Sequence, residues 1–101
     1  MTDRPTNEGR AHTYCHMGRI GVVLELRCET DFCSRSGEFR AWCEDLAMQV
    51  AATNPASVDE LLAQPFIKDE SKTVADHIQA LRSMVGERLV VAGFARREVG
   101  R

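Results

Sequence analysis

The clearest structural signal in the sequence is Gly18-Arg19-Ile20-Gly21-Val22-Val23-Leu24-Glu25-Leu26-Arg27-Cys28-Glu29-Thr30-Asp31-Phe32-Cys33. Within it, apolar side chains recur at every second position: Ile20, Val22, Leu24, Leu26 and Cys28. A period of two is typical of a β-strand with one packed face and one face that meets water or a partner. We therefore predict a strand from Arg19 to about Glu29, followed by a short segment, Thr30–Cys33, which we call the tip.

The tip places an aromatic ring beside a carboxylate at the end of a strand. Phe32 offers a large apolar contact and Asp31 a single charge, a pair that suits insertion into a partner's cleft. In the alternative interpretation, Phe32 fills the domain's own core and Asp31 caps a helix. The first interpretation predicts a protein-binding site at the tip, whereas the second predicts none.

The residues before this strand predict a hairpin. A short β-prone segment, 11–16, leads into Met17-Gly18, so we expect a turn at Gly18. Residues 1–10 are polar and charged without a period, and we expect them to form a flexible arm. The remaining residues, 11–101, are expected to form a single domain.

After the tip, the chain predicts three helices. Ser36 is placed to cap the first, which Asn54-Pro55 ends, and Ser57 to cap a short second helix that Pro65 ends. Thr73 is placed to cap the third, which Gly86 ends. The first helix carries apolar side chains at three- and four-residue spacing: Phe39, Trp42, Cys43, Leu46, Ala47 and Val50. The third carries Val74, Ile78, Leu81 and Val85.

The rest of the chain completes an α+β fold. Phe66-Ile67-Lys68-Asp69 is expected to be irregular. In residues 89–99 the side chains alternate between two faces, which predicts a last strand. We predict a three-stranded antiparallel sheet with the helices on one face. The opposite face is expected to expose Val23, Val90, Ala92 and Phe94. A monomer rarely exposes such an apolar patch to water, so we expect a homodimer or a bound partner.

Composition restricts the function. The chain of 101 residues has 13 Lys and Arg against 15 Asp and Glu, a net charge of −2, which argues against a nucleic-acid partner. No stretch approaches the roughly 20 apolar residues of a membrane span, and the first ten residues do not resemble a secretion signal. We therefore expect a cytoplasmic protein with no membrane association.

The four cysteines are expected to be reduced. Their spacing lacks two tight pairs, and Cys43 lies on the apolar stripe of a helix, so we expect small buried side chains, no metal and no cofactor. Cys33 is the exception. Because it lies on the tip just before a helix start, we hypothesise an exposed, reactive thiol with a lowered pKa.

The sequence resembles the core of bacterial elongation factor Ts, the nucleotide-exchange factor of elongation factor Tu. The matching pieces include Tyr14 and His16, Cys28-Glu29-Thr30-Asp31-Phe32, Asp45-Leu46-Ala47-Met48-Gln49, and Gln64-Pro65-Phe66-Ile67-Lys68-Asp69. The resemblance implies that the tip, Thr30–Cys33, presses against the nucleotide-binding domain of elongation factor Tu and promotes release of guanine nucleotide. Asp31 and Phe32 would form the wedge. The single copy of the core implies a homodimer.

The sequence also departs from the family pattern. Residues 1–10 do not correspond to the family's N-terminal ubiquitin-associated-like helical domain, which we expect to be absent; the helical insertion is reduced to Ala56–Glu60, and Cys33 replaces the usual Val. These departures motivate a second hypothesis, in which the core is recruited as a small-molecule-binding protein or an acid–base enzyme. Its candidate residues would lie at the mouth of a groove between the two protomers of a dimer: His16, Glu25, Asp31 and Cys33.

Overall fold

The computed structural model describes residues 4–100 and has the expected α+β architecture. In this part of the chain the elements are β1 (Glu8–His16), β2 (Ile20–Cys28), α1 (Asp31–Ser34), α2 (Gly37–Thr53), α3 (Val58–Ala63), β3 (Pro65–Phe66), β4 (Asp69–Thr73), α4 (Val74–Val85) and β5 (Val90–Glu98). None of the helices among these residues is long and apolar enough to cross a membrane.

A three-stranded antiparallel sheet, in the order β1-β2-β5, forms one layer, as predicted. Along the central strand β2, burial alternates strictly, with the even-numbered residues 22–28 buried and the odd-numbered ones exposed. Helix α2 packs on β1 and β2, and α3 contacts β5. The period of two therefore gave the correct packed face of β2.

Strand β1 begins at Glu8, so the expected boundary between arm and domain falls inside it. The first three residues of the expected arm lie outside the described residues. Gly9 pairs with Arg27, and a Cβ atom at position 9 would lie 2.3 Å from the Leu26 carbonyl oxygen. A glycine lets the strand approach β2 this closely, and pairing therefore starts earlier than the polar composition indicated.

The hairpin turns where the sequence predicted. Met17 and Gly18 have φ angles of 53° and 69°, and the Arg19 amide donates to the His16 carbonyl at 3.0 Å. Two successive positive φ angles are typical of turns whose twist matches the paired strands. Met17 is 85% exposed at this end of the hairpin.

The predicted outward position of Phe94 is wrong, because β5 contains a bulge. Its register with β2 runs from Glu25 opposite Gly93 to Leu26 opposite Val91, which leaves Ala92 as an extra residue. One extra residue reverses the alternation of side chains along a strand. Phe94 consequently packs against the core, and the opposite face of the sheet is less aromatic than expected.

The helix boundaries follow the predicted caps. The hydroxyls of Ser36, Ser57 and Thr73 each accept a backbone hydrogen bond at a helix start, and Asn54 and Gly86 end helices in the left-handed conformation. All six apolar side chains predicted for α2 are buried. In α4, three of the four predicted residues are buried and Val85 packs partly against the core.

Segment 66–69, expected to be irregular, instead belongs to a small hairpin of β3 and β4. The buried side chain of Gln49, in α2, holds this hairpin. Its amide nitrogen donates to the Pro65 carbonyl at 3.1 Å and to Gln64 Oε1 at 3.1 Å, and its oxygen accepts from the Ile67 amide at 2.9 Å. A contact from another helix therefore organises a segment that has no pattern of its own.

Candidate protein-binding site

The tip forms one helical turn at the end of β2. Thr30 is the N-cap of α1, and its hydroxyl oxygen accepts a hydrogen bond from the Cys33 amide at 3.1 Å. The Ser34 and Arg35 amides donate to the carbonyls of Thr30 and Asp31 at 3.2 and 3.0 Å. These bonds give the tip a defined shape.

Phe32 projects from this turn into solvent and is 86% exposed. Residues of an α-helix turn by about 100° each, so the neighbouring Cys33 points inward while Phe32 points outward. The side chain of Asp31 is also exposed and forms an ion pair with Arg35 at 3.3 Å. The interpretation in which Phe32 fills the core is therefore wrong.

The base of the tip is fixed by Glu87, which lies between α4 and β5. One carboxylate oxygen of Glu87 accepts hydrogen bonds from the amides of Glu29 and Thr30, at 3.0 and 3.2 Å. The other accepts from the Thr30 hydroxyl at 2.7 Å. Hydrogen bonds to an ionised acceptor are stronger than neutral ones, so this contact orients the tip.

Glu29 makes the reciprocal contact. Its carboxylate accepts from the Arg88 amide at 2.6 Å and from the Arg4 guanidinium at 3.2 Å. The hydrogen bond from the Arg88 amide is the main reason that the pKa of Glu29 lies below its ordinary value. Glu87 and Glu29 therefore link the end of β2 to the start of β5, because each carboxylate accepts a hydrogen bond from the backbone of the other segment.

The lowered pKa of Glu29 predicts how stability depends on pH. A carboxylate with a lowered folded-state pKa stabilises the fold above its unfolded pKa and loses this effect as the pH falls through the folded value. Near neutral pH, Glu29→Gln should therefore unfold at a lower urea concentration than the wild type. The gap between the two midpoints should close below pH 4.5, the ordinary value for this group. A gap that stays constant from pH 7 to pH 3 would contradict this role of the charge.

The hypothesis of a reactive Cys33 is wrong. Its side chain is 7% exposed, and burial raises the pKa of the thiol to about 12, with Cys28 and Glu87 adding to the effect. Burial also raises the thiol pKa of Cys28, and that of Cys43 to about 12. Cys28 and Cys43 are the small buried side chains that the sequence predicted, whereas Cys33 is buried against the prediction and Cys15 is exposed against it.

An apolar groove of about 370 Å³ lies beside Phe32. Trp42, Met84 and Val85 contribute to its wall, and Met84 is 67% exposed. Sequence reasoning missed Met84 because it lies outside the apolar stripe of α4. The tip and this groove together form a continuous apolar surface of the kind that binds proteins.

Within one protomer, the four residues of the enzyme hypothesis do not lie together. His16 lies at the turn end of the hairpin, where its Nδ1 contacts the Tyr14 hydroxyl at 2.9 Å. Glu25 lies in the middle of β2 on the exposed face and accepts from Arg27 at 2.7 Å. The tip begins beyond the other end of β2, whose nine residues span roughly 25 Å.

The fold is a small α+β domain with an exposed aromatic tip, and the comparisons with known proteins identify its family. The family model described as elongation factor TS matches residues 2–61. Elongation factor Ts of Oleidesulfovibrio alaskensis is 33% identical over 144 aligned positions, which cover 97% of this chain and 73% of the relative. This chain belongs to the elongation factor Ts family of translation elongation factors.

Two further relatives agree. Elongation factor Ts of Rubrobacter xylanophilus is 32% identical, with 95% of this chain and 73% of the relative covered. That of a Nostoc species is 38% identical over 94 positions, with 92% of this chain and 29% of the relative covered. The alignment to the Oleidesulfovibrio protein has 144 positions, more than the 101 residues of this chain, so that relative carries residues that this chain lacks.

Proposed function

We propose that this protein binds elongation factor Tu, or a close relative of it, in the cytoplasm and promotes the release of guanine nucleotide. Membership of the elongation factor Ts family supports the choice of partner. The observation that carries the proposal is the 86% exposure of Phe32 on a tip whose base is hydrogen-bonded on both sides. The wedge consists of Asp31 and Phe32, with Thr30 and Cys33 holding its shape.

The proposed mechanism is a coupling of two binding equilibria. A protein that binds the nucleotide-free form of a GTPase more tightly than the nucleotide-bound form must weaken nucleotide binding by the same factor. The hydrogen bonds that order the tip before binding reduce the entropy lost on association. No chemical step is required of this chain, so the proposed activity is displacement and not catalysis of a covalent reaction.

The direct test is the rate of GDP release from elongation factor Tu. The factor from the same organism is loaded with a fluorescent GDP, and release is followed with and without the full chain. The proposal expects faster release, together with tighter binding of this protein to nucleotide-free factor than to the GDP complex. An unchanged release rate and no detectable binding would overturn it.

We further propose that the protein self-associates through the face of the sheet that the helices leave open. This face carries small uncharged side chains, among them Ala11, Thr13 and Ala95, around the half-exposed Val23 in the centre of β2. Its neighbouring charges, Glu25 and Arg27, pair with each other at 2.7 Å. Such a surface can pack closely against a second copy of itself.

The substitution Val23→Glu tests this interface. A carboxylate in the middle of the face would lie opposite its own copy in a two-fold dimer, so the dissociation constant should rise at least tenfold, about 1.4 kcal/mol. Mass by light scattering over a concentration series measures the effect. Ile67→Glu is the matched control, because Ile67 is 36% exposed but lies beside α2 in the other layer. A wild-type protein that is monomeric at every concentration would contradict the interface.

A further inference from the structure

Three potential metal ligands converge beneath the tip from separate parts of the chain. Cys28 ends β2, Cys33 lies in α1, and Glu87 precedes β5. The two sulfur atoms and a carboxylate oxygen all lie within 4.8 Å of one another. Both cysteines are buried and Glu87 is half-buried, and Cys33 and Glu87 also line the groove beside Phe32, through which an ion and water can enter. We call these three side chains the tip cluster.

We propose that the tip cluster binds a thiophilic divalent cation, with Zn²⁺ the best match to its ligands. Two thiolates and a carboxylate favour zinc over magnesium or calcium, which take oxygen ligands only. Zinc bonds are about 2.3 Å to sulfur and about 2.0–2.2 Å to oxygen, so tetrahedral ligands lie roughly 3.5 Å apart. Because the donors of the tip cluster lie within 4.8 Å of one another, they need to close by at most about 1.3 Å to meet a common ion.

The surroundings of Glu87 leave room for this bond. A carboxylate has about four lone-pair sites, and three are used by the amides of Glu29 and Thr30 and by the Thr30 hydroxyl. The remaining site is on Oε2. The same three hydrogen bonds hold the carboxylate in place, which is the role that outer-shell partners have around metal ligands.

The charges and protons of the proposed site balance. The Cys28 thiol, which now donates to the Thr30 carbonyl at 3.3 Å, and the Cys33 thiol each lose one proton to solvent when the cation binds. Two thiolates, one carboxylate and a divalent ion leave a net charge of −1. Water supplies the fourth ligand of a tetrahedral site.

A bound ion would connect the two cysteines on either side of the segment that carries Phe32. Cys28 and Cys33 flank the segment 29–32, and Glu87 belongs to a different part of the chain. The ion would therefore cross-link the backbone on both sides of Phe32 to the start of β5. This inference concerns a site within the chain and does not depend on which partner the tip binds.

Cobalt titration of the reduced full chain tests the site. Co²⁺ in a tetrahedral thiolate site gives charge-transfer and strong visible absorption, which should saturate at one equivalent and disappear when Zn²⁺ is added. Cys33→Val, which preserves an apolar side chain of similar size, should abolish the signal. Glu87→Gln should weaken binding by at least tenfold.

Two controls and a second measurement complete the test. Cys43→Ala changes a buried cysteine outside the tip cluster, and Cys15→Ser removes the exposed cysteine; both should bind Co²⁺ as the wild type does. Zn²⁺ should raise the unfolding temperature of the wild type but not that of Cys33→Val, whose folding is verified by circular dichroism. Absence of the cobalt signal, its persistence in Cys33→Val, or its loss in Cys15→Ser would each overturn the proposal.

Discussion

Replacement of Phe32 by alanine is expected to reduce stimulated GDP release from elongation factor Tu at least tenfold. The side chain is 86% exposed, so its ring contributes little to the fold and is available to a partner. Aromatic residues at the centre of an interface typically account for about 2 kcal/mol or more of binding free energy when truncated. Stopped-flow fluorescence of the released nucleotide, over a range of protein concentrations, measures the loss.

Met17→Ala is the matched control for Phe32→Ala. Met17 is 85% exposed but lies at the turn end of β2, away from the tip. Truncating a large apolar side chain there should leave nucleotide release unchanged. Because both side chains are exposed, both variants should keep the wild-type unfolding free energy within about 0.5 kcal/mol. Equal losses of activity in the two variants would show that Phe32 has no particular role.

The largest expected effect on stability belongs to Gln49→Met. Methionine has a similar length but no amide, so the Ile67 amide and the Pro65 carbonyl would lose their buried partners. Both hydrogen bonds are part-buried, and a fully buried unsatisfied group costs about 1–3 kcal/mol, so we expect the unfolding free energy to fall by about 1–3 kcal/mol in total. Urea denaturation measures the change.

Gln79→Met provides the comparison for Gln49→Met. Gln79 lies on α4 and is exposed, so the same substitution removes no buried hydrogen bond. Its effect should be within about 0.5 kcal/mol of zero. If Gln49→Met also stayed within this range, the hairpin of β3 and β4 would not depend on the buried amide.

The sequence predicted those parts of the fold that depend on local signals. The period of two in 20–28 gave the strand and its packed face, and Ser36, Thr73 and Gly86 marked helix ends because each satisfies the local backbone. The predictions of the fold failed where contacts between residues far apart in the sequence determine the structure. The bulge in β5 is a feature of its pairing with β2, and within 89–99 only Gly93, which lies at the bulge, is a local signal for it.

For the candidate site, too, some predictions from the sequence agree with the structure and others do not. Residue type and the family resemblance singled out Asp31 and Phe32, and the exposure of Phe32 agrees with that prediction. The same reasoning placed Cys33 on the surface, since it did not anticipate the helical turn that rotates this side chain inward. Glu87, which orients the tip, could not be found from spacing because it is far from the tip along the chain.

The proposed wedge requires the ring of Phe32 to contact the nucleotide-binding domain of elongation factor Tu. Site-specific incorporation of benzoyl-phenylalanine at position 32 keeps an aromatic ring there and allows photo-crosslinking to whatever it touches. We expect a crosslink to that domain from position 32, weakened by excess GDP, and none from the same residue at position 17. No crosslink from position 32, or equal crosslinking from both positions, would contradict it.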